Sequence, residues 1–341
     1  MLTERQRMIL NAIVDDYIRS AEPVGSRSIS KRGDVGYSAA TIRNEMADLE
    51  ELGFLEQPHT SAGRVPSIKG YRYYVDHLVK LGDVNEHELK LLRSYIAEKM
   101  RGMEQVTQHA AMILSNLTNY TSIFLGPETF NTTLKHFQLV PLNEDTAVAI
   151  IVTSTGHVEN TTVSIPSDMS MSDMERIVNI LNAKLAGVPL VQLRSKLFSE
   201  VGEELSRYAA HCERMIDVLT GVLKEGEGNR VFLSGTTNIL TQPEFKDVDK
   251  VKTLLDLLEE TPTIMKLFAD LPAGIQVRIG TENEHEAINN CSLITATFSI
   301  DGQSLGTIGI LGPTRMEYGK VISLLDVLSK DLAVLMARWY K

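Results

Sequence analysis

Apolar residues recur at helical spacing through the first eighty positions. Leu10, Ile13, Val14, Tyr17 and Ile18 share one face, and Thr3 with Gln6 forms a capping box, so a helix is expected over 4–19. Pro23 ends the next loop. GSRSISKR gives a short helix with Ile29 inward, which Gly33 and Gly36 break. Ser38 caps a third helix, SAATIRNEMADLEEL, that stops at Gly53. Ala39, Ile42, Met46 and Leu49 lie on its inner face. Ala40, Thr41, Asn44 and Ala47 lie opposite, with Arg43 on the flank. Beyond Gly53, extended stretches at 54–58 and 64–66 flank HTSAG, where Ala62-Gly63 supplies a tight turn. Ser67 then caps SIKGYRYYVDHLV. Helix, helix, turn, helix and hairpin in this order predict a winged helix–turn–helix over 1–79.

The pattern then changes. A long helical stretch is expected from Asn85 to about 118, either pairing across a dimer or covering a sheet. From about 120, SIFL, KHFQLV and TAVAIIVTST read as strands, and Thr155-Gly156 leads into HVENTTVSI as a hairpin. Residues 166–227 are mainly helical, with one helix ending at Gly187 and another over 200–224. Strands return in RVFLSG, GIQVRIG, CSLITATFSI and SLGTIGILG, before a final helix from Tyr318 to Trp339. The expectation is an α+β domain, 80–165 with 228–341, interrupted by an insertion at 166–227. A large oligomer interface is a common use for such a block.

Length and composition agree with several globular domains: 341 residues, 43% hydrophobic and 23% charged. Neither a signal-peptide core near the start nor an apolar run near 20 residues is found, and Cys212 and Cys291 form no CxxC pair. A protein of the reducing cytoplasm, away from membranes, is expected. The net charge of −10 argues against nucleic acid, but its distribution does not. Residues 23–44 carry Arg27, Lys31, Arg32 and Arg43 against Asp34 alone, and 57–75 carry Arg64, Lys69 and Arg72 with no acid. The third helix is small, polar and acid-free near its N-terminus, which is the end a recognition helix presents to bases. There Asn can pair with adenine, Arg with guanine, and Thr can meet a thymine methyl. Arg64 beside the small wing tip suits a backbone or minor-groove contact, and Lys69, Tyr71 and Arg72 stand within reach of phosphates. Alternatively, Tyr71, Tyr73 and Tyr74 pack beneath the wing.

Catalytic signatures are missing: there is no HExxH, GxSxG, Walker A or GxGxxG, so neither enzyme nor metal nor cofactor is expected. Two strand-to-helix junctions, at Thr236-Thr237 and Thr314-Arg315, are weak anion-site candidates against the alternative of tight packing with a capping Thr.

Residues 38–76, with HTSAGRVP followed by GYRYYVD, resemble the heat-inducible transcription repressor family HrcA, and VFLSGTTN and GTIGILGPTRMEY extend the likeness into the C-terminal half. The resemblance implies a winged helix, a GAF-like α+β domain and a dimerisation domain inserted into it. It implies a homodimer on inverted-repeat operator DNA upstream of chaperone genes, kept active by the GroE chaperonin. It makes Ser38, Thr41, Arg43 and Asn44 the base readers, and His59, Thr60, Ser61, Gly63 and Arg64 the wing. Phosphate contacts would come from Arg27, Lys31, Arg64, Lys69 and Arg72. A small-molecule sensor with a ligand in the α+β domain is the rival reading. An RNA-binding or scaffold protein is a weaker one, since no stacking aromatics stand on a basic sheet.

Overall fold

The computed structural model describes residues 2–59, 62–80, 103–126, 133–143, 145–154, 158–165, 170–188, 196, 231–268, 271–300 and 303–337. Its contacts divide the chain into two units, Met1–Gly126 with Val231–Trp339, and Pro127–Arg230 with the last two residues.

The first unit begins with α1 (Glu4–Ser20), α2 (Ser26–Ser30) and α3 (Ala39–Glu51). Thr3 and Gln6 form the expected capping box on α1. Ile9, Leu10, Ile13, Ile29, Ile42 and Leu49 are fully buried where the three helices meet. Strands β1 (Leu55–Glu56) and β2 (Val65–Pro66) pair antiparallel as a short wing, and α4 (Ile68–His77) follows with Ser67 as its cap.

The same unit continues with α5 (Met103–Thr118) and an antiparallel five-stranded sheet. Its strands are β3 (Thr121–Leu125), β7 (Val231–Ser234), β8 (Gly274–Ile279), β9 (Cys291–Ile300) and β10 (Gln303–Pro313), in the order β7-β3-β10-β9-β8. Adjacent residues of a strand point to opposite faces. Phe124, Ile294, Ala296, Ile308 and Ile310 join the core beneath α5 and α9 (Tyr318–Ala337). Ile123, Leu125, Leu293 and Leu311 join the core beneath α7 (Val248–Glu259) and α8 (Thr261–Leu267). Helices therefore cover both faces, which is why these strands read as continuous apolar runs. Of the two alternatives for the stretch before residue 118, its described part, α5, covers the sheet. Helices α7 and α8 were missed in the sequence. Their signal was present: Asp247 accepts from the Asp249 and Lys250 amides, and Val251, Leu254, Leu257 and Leu258 are buried.

The second unit holds β4 (Leu134–Pro141), β5 (Thr146–Thr153), β6 (Val158–Ser164) and α6 (Met171–Leu185). These strands form their own sheet, in the order β4-β5-β6. Ala147, Ala149 and Ile151 face Ile177, Leu181 and Leu185 of α6. This corrects the expected boundary: the unit starts near 127, not 166, and takes in β4 to β6, while the described part of 166–227 includes α6, the helix expected to end at Gly187. An alternating strand specifies that one face is buried but not which sheet it joins. The helices expected over 85–102 and 200–224 lie outside the described residues. No helix among the described residues is long and apolar enough to cross a membrane.

Because Ile42 is fully buried between α3 and its neighbours, Ile42→Ala is expected to destabilise the winged helix by about 2–5 kcal/mol. Thermal unfolding followed by circular dichroism measures the loss.

Candidate nucleic-acid interface

Helix α3 buries Ile42, Met46 and Leu49 and exposes Ala40, Arg43, Asn44 and Ala47. Its start is set by Ser38, whose Oγ accepts from the Thr41 amide at 3.2 Å and lies 2.9 Å from the Thr41 hydroxyl. Ser38 thus acts as the cap that orders the first turn, and Thr41, Arg43 and Asn44 form the polar face beyond it. From below, the buried carboxylate of Glu45 pairs with Arg5, whose guanidinium stands 5.8 Å over the Tyr37 ring. A buried carboxylate without that partner would be costly, so the pair pins the rotation of α3. Sequence reading missed Glu45, because a lone acid on a helix looks like surface.

The wing is tied to α3 and to the loop before α2. Val24 and Arg64 exchange backbone hydrogen bonds of 2.8 and 2.9 Å, which adds a third short segment beside the hairpin. Gly63 is required for that approach, since a Cβ there would run into the Val24 carbonyl. The Arg64 side chain, expected to reach the DNA backbone or minor groove, turns instead to α3. Its guanidinium donates to Glu50 of α3, with Nε at 2.8 Å and Nη2 at 2.7 Å. Lys69 is exposed, but its ammonium donates to the Leu52 carbonyl at 2.8 Å and stands 4.5 Å over the Phe54 ring. Both cations lie at the C-terminal end of α3, where positive charge is favourable. That arrangement also accounts for an acid at that end: Glu50 holds the wing.

Two further expectations are corrected, at Tyr71 and Arg72, and at both anion candidates the packing alternative holds. Tyr71 is 3% exposed and packs 5.9 Å from the Tyr318 ring, so it is a core residue and not a phosphate ligand. Arg72 binds Glu282 through Nε at 2.8 Å and donates from Nη2 to the Val277 carbonyl at 2.6 Å, with Asp76 as a third partner. It faces the α+β domain, not a duplex. Arg315 is 11% exposed and donates to Glu244 and to the Ile18 carbonyl, each at 2.5 Å. An anion at Thr314-Arg315 would meet Glu244. The other candidate junction, Thr236-Thr237, opens a short 3-10 turn. There Asn238 donates to the Ser115 and Tyr120 carbonyls, which is tight packing and not an anion cradle.

Arg27 of α2 and Lys31 at its C-terminal cap are exposed, as is His59 at the wing. Thr60 and Ser61 lie outside the described residues. Arg32, counted in the basic segment, is held by Asp15, Asp16 and Asp34. Within the two basic segments, 23–44 and 57–75, the cations classed as exposed are Arg27, Lys31, Arg43 and Lys69, the last with its ammonium on the Leu52 carbonyl. No described group of His, Cys, Asp and Glu is arranged to hold a metal, and burial pushes the Cys291 thiol up to about 12.

A three-helix core with a paired wing and a solvent-facing polar start to its third helix defines a winged-helix DNA-binding regulator. The comparisons sharpen this. Residues 1–77 match the winged helix-turn-helix transcription repressor, HrcA DNA-binding family, and residues 104–322 match the HrcA protein C terminal domain. The chain belongs to the HrcA family of heat-inducible transcription repressors. It is 54% identical to the heat-inducible transcription repressor HrcA of Brevibacillus brevis, over all of both chains. It is 51% identical to that of Halalkalibacterium halodurans, over 100% of this chain and 99% of the relative. A solved structure described as a hypothetical protein has the same fold, with a TM-score of 0.65 at 23% identity over 99% of this chain and 100% of the other.

Arg43→Ala and Asn44→Ala are expected to relax preference at one base pair by about 1–3 kcal/mol each while leaving non-specific binding intact, as read by competition with single-base operator variants. A second expectation concerns acid. Burial raises the Glu282 pKa, but the Arg72 hydrogen bond, the Ile279 amide and the Arg72 charge outweigh it and hold the carboxyl below its ordinary range. Its stabilisation is therefore complete above the ordinary glutamate pKa and is lost as pH falls through the lowered value. Glu282→Gln should lower stability at neutral pH, and its deficit should shrink on acidification in chemical denaturation run across pH.

Proposed function

We propose that this protein is a cytoplasmic homodimer that represses heat-shock chaperone genes by binding an inverted-repeat operator, with the GroE chaperonin sustaining its active form. The observation that carries the reading is the exposed first half of α3, with Thr41, Arg43 and Asn44 presented beside the wing. One such helix spans few bases, and a two-fold pair doubles the footprint on a palindrome. Arg27 and Lys31 supply phosphate contacts, and the acidic remainder limits non-specific attachment. The named response of the relatives, heat-inducible repression, supports the class of target gene. The part given to the chaperonin follows from the family resemblance. Nothing in the reading calls for a cofactor, a catalytic step or a membrane.

The test is an electrophoretic shift of inverted-repeat DNA from upstream of chaperone genes, with and without GroE. Specific binding that rises with chaperonin is expected. Specific binding indifferent to chaperonin would keep the repressor and remove the chaperonin, and no specific binding by folded protein would overturn the operator reading.

A further inference from the structure

Three of the side chains that looked ready for DNA or anions, Tyr71, Arg72 and Arg315, instead join the winged helix to the α+β domain. Arg72 leaves α4 and grips the end of β8: its guanidinium bridges the Glu282 carboxylate and the Val277 carbonyl, and Glu282 also accepts the Ile279 amide at 2.8 Å. Arg315 makes the reverse reach. It leaves the α+β domain and takes the Ile18 carbonyl in the last turn of α1, while Glu244 holds its other edge. Carbonyls at a helix C-terminus lack intrahelical donors and carry partial negative charge, so a guanidinium is well matched there.

Between these two points lies a packed seam. The Tyr318 ring is fully buried, 5.9 Å from Tyr71 and 6.4 Å from Tyr74, and its hydroxyl bonds to Ser292 at 2.7 Å and to the Thr314 carbonyl at 2.6 Å. Gly280, at φ +56°, lets Ile68 of α4 come close, since a Cβ there would lie 2.6 Å from its Cδ1. A single contact would leave a hinge. Contacts on two different helices of the module, α1 and α4, with aromatic rings between them, remove rotation about any one of them.

We infer that Arg72 and Arg315 are positioning residues that lock the angle of the winged helix on the α+β domain and so set the half-site spacing the repressor accepts. The inference rests on the dimer reading above. Two rigidly mounted recognition helices can engage both half-sites only at one separation and phase, whereas loosely tethered ones tolerate many.

The experiment uses the full-length protein and a series of inverted repeats whose half-sites are moved by zero to five base pairs. A lone half-site serves as a control. Two base pairs turn one half-site by roughly 70°. For the unaltered protein, that change is expected to reduce affinity by roughly 100-fold, because simultaneous engagement is lost. In R72E, R72Q and R315Q the same change should cost less than about fivefold, with lone half-site affinity kept, since a tethered module still reaches its site. The charge swap R72E/E282R should recover spacing discrimination, which a general loss of stability would not do. Thermal melts identify any variant that does not fold, and R315Q tests the second latch independently of the first. If folded R72Q and R315Q keep the strict profile, the latch is overturned and the dimer reading stands. If the unaltered protein accepts every spacing, the latch is overturned as well. If it also binds a lone half-site as tightly as the full repeat, the dimer reading falls with it.

Discussion

Helix α3 must bury one face and leave the other in water, and the rest of the DNA-binding end is arranged around that division. Ile42, Met46 and Leu49 hold it in the core, which keeps Arg43 and Asn44 outside without any ligand present. Ser38 orders its first turn, the Arg5–Glu45 pair fixes its rotation, and Glu50 at its far end holds the wing through Arg64. The two ion pairs cost little when complete and much when the arginine is removed, because Glu45 would be left as a buried charge and Glu50 as a half-buried one. The recognition surface is therefore pre-formed.

The second theme is how a protein with a net charge of −10 allocates its cations. Guanidinium groups suit sites where a carboxylate and a carbonyl must be satisfied together, since their donors are spread over a rigid plane. Arg32, Arg72 and Arg315 are used in this way, each on an acid and a carbonyl, and Arg64 is held by Glu50. Arg27 on α2, Lys31 at its cap and Arg43 on α3 are exposed. The electrostatic footprint is narrower than a count of basic residues suggests. It lies beside the polar start of α3, the face proposed to read bases, where it would steer DNA without binding it everywhere.

The family assignment and this geometry support each other at different levels. Similarity over the full chain to HrcA repressors identifies the class. The contacts show how this member couples its parts: the winged helix and the five-stranded α+β domain fall in one unit, while the three-stranded inserted sheet with α6 falls in another. Arg72, Arg315 and the tyrosine seam tie the α+β domain to α1 and α4 of the winged helix without touching α3.

Local signals in the sequence determined the elements of the winged helix: a capping box at Thr3, a cap at Ser38, helical spacing of Ile42, Met46 and Leu49, and a small-residue turn before Arg64. These depend on interactions within a few residues, so they are legible in one dimension. The motifs shared with a known family carried the class of function. Partnerships across long separations were not legible. Arg72 meets Glu282 and Arg315 meets Ile18, and nothing in the neighbourhood of either arginine distinguishes a phosphate ligand from an interdomain tie. The same limit misplaced the insertion boundary, because β4 to β6 alternate in the way any half-buried strands do. Hydrophobic period states that a face is covered, and only the tertiary structure decides by what, since that depends on which distant surface offers the complementary shape and charge.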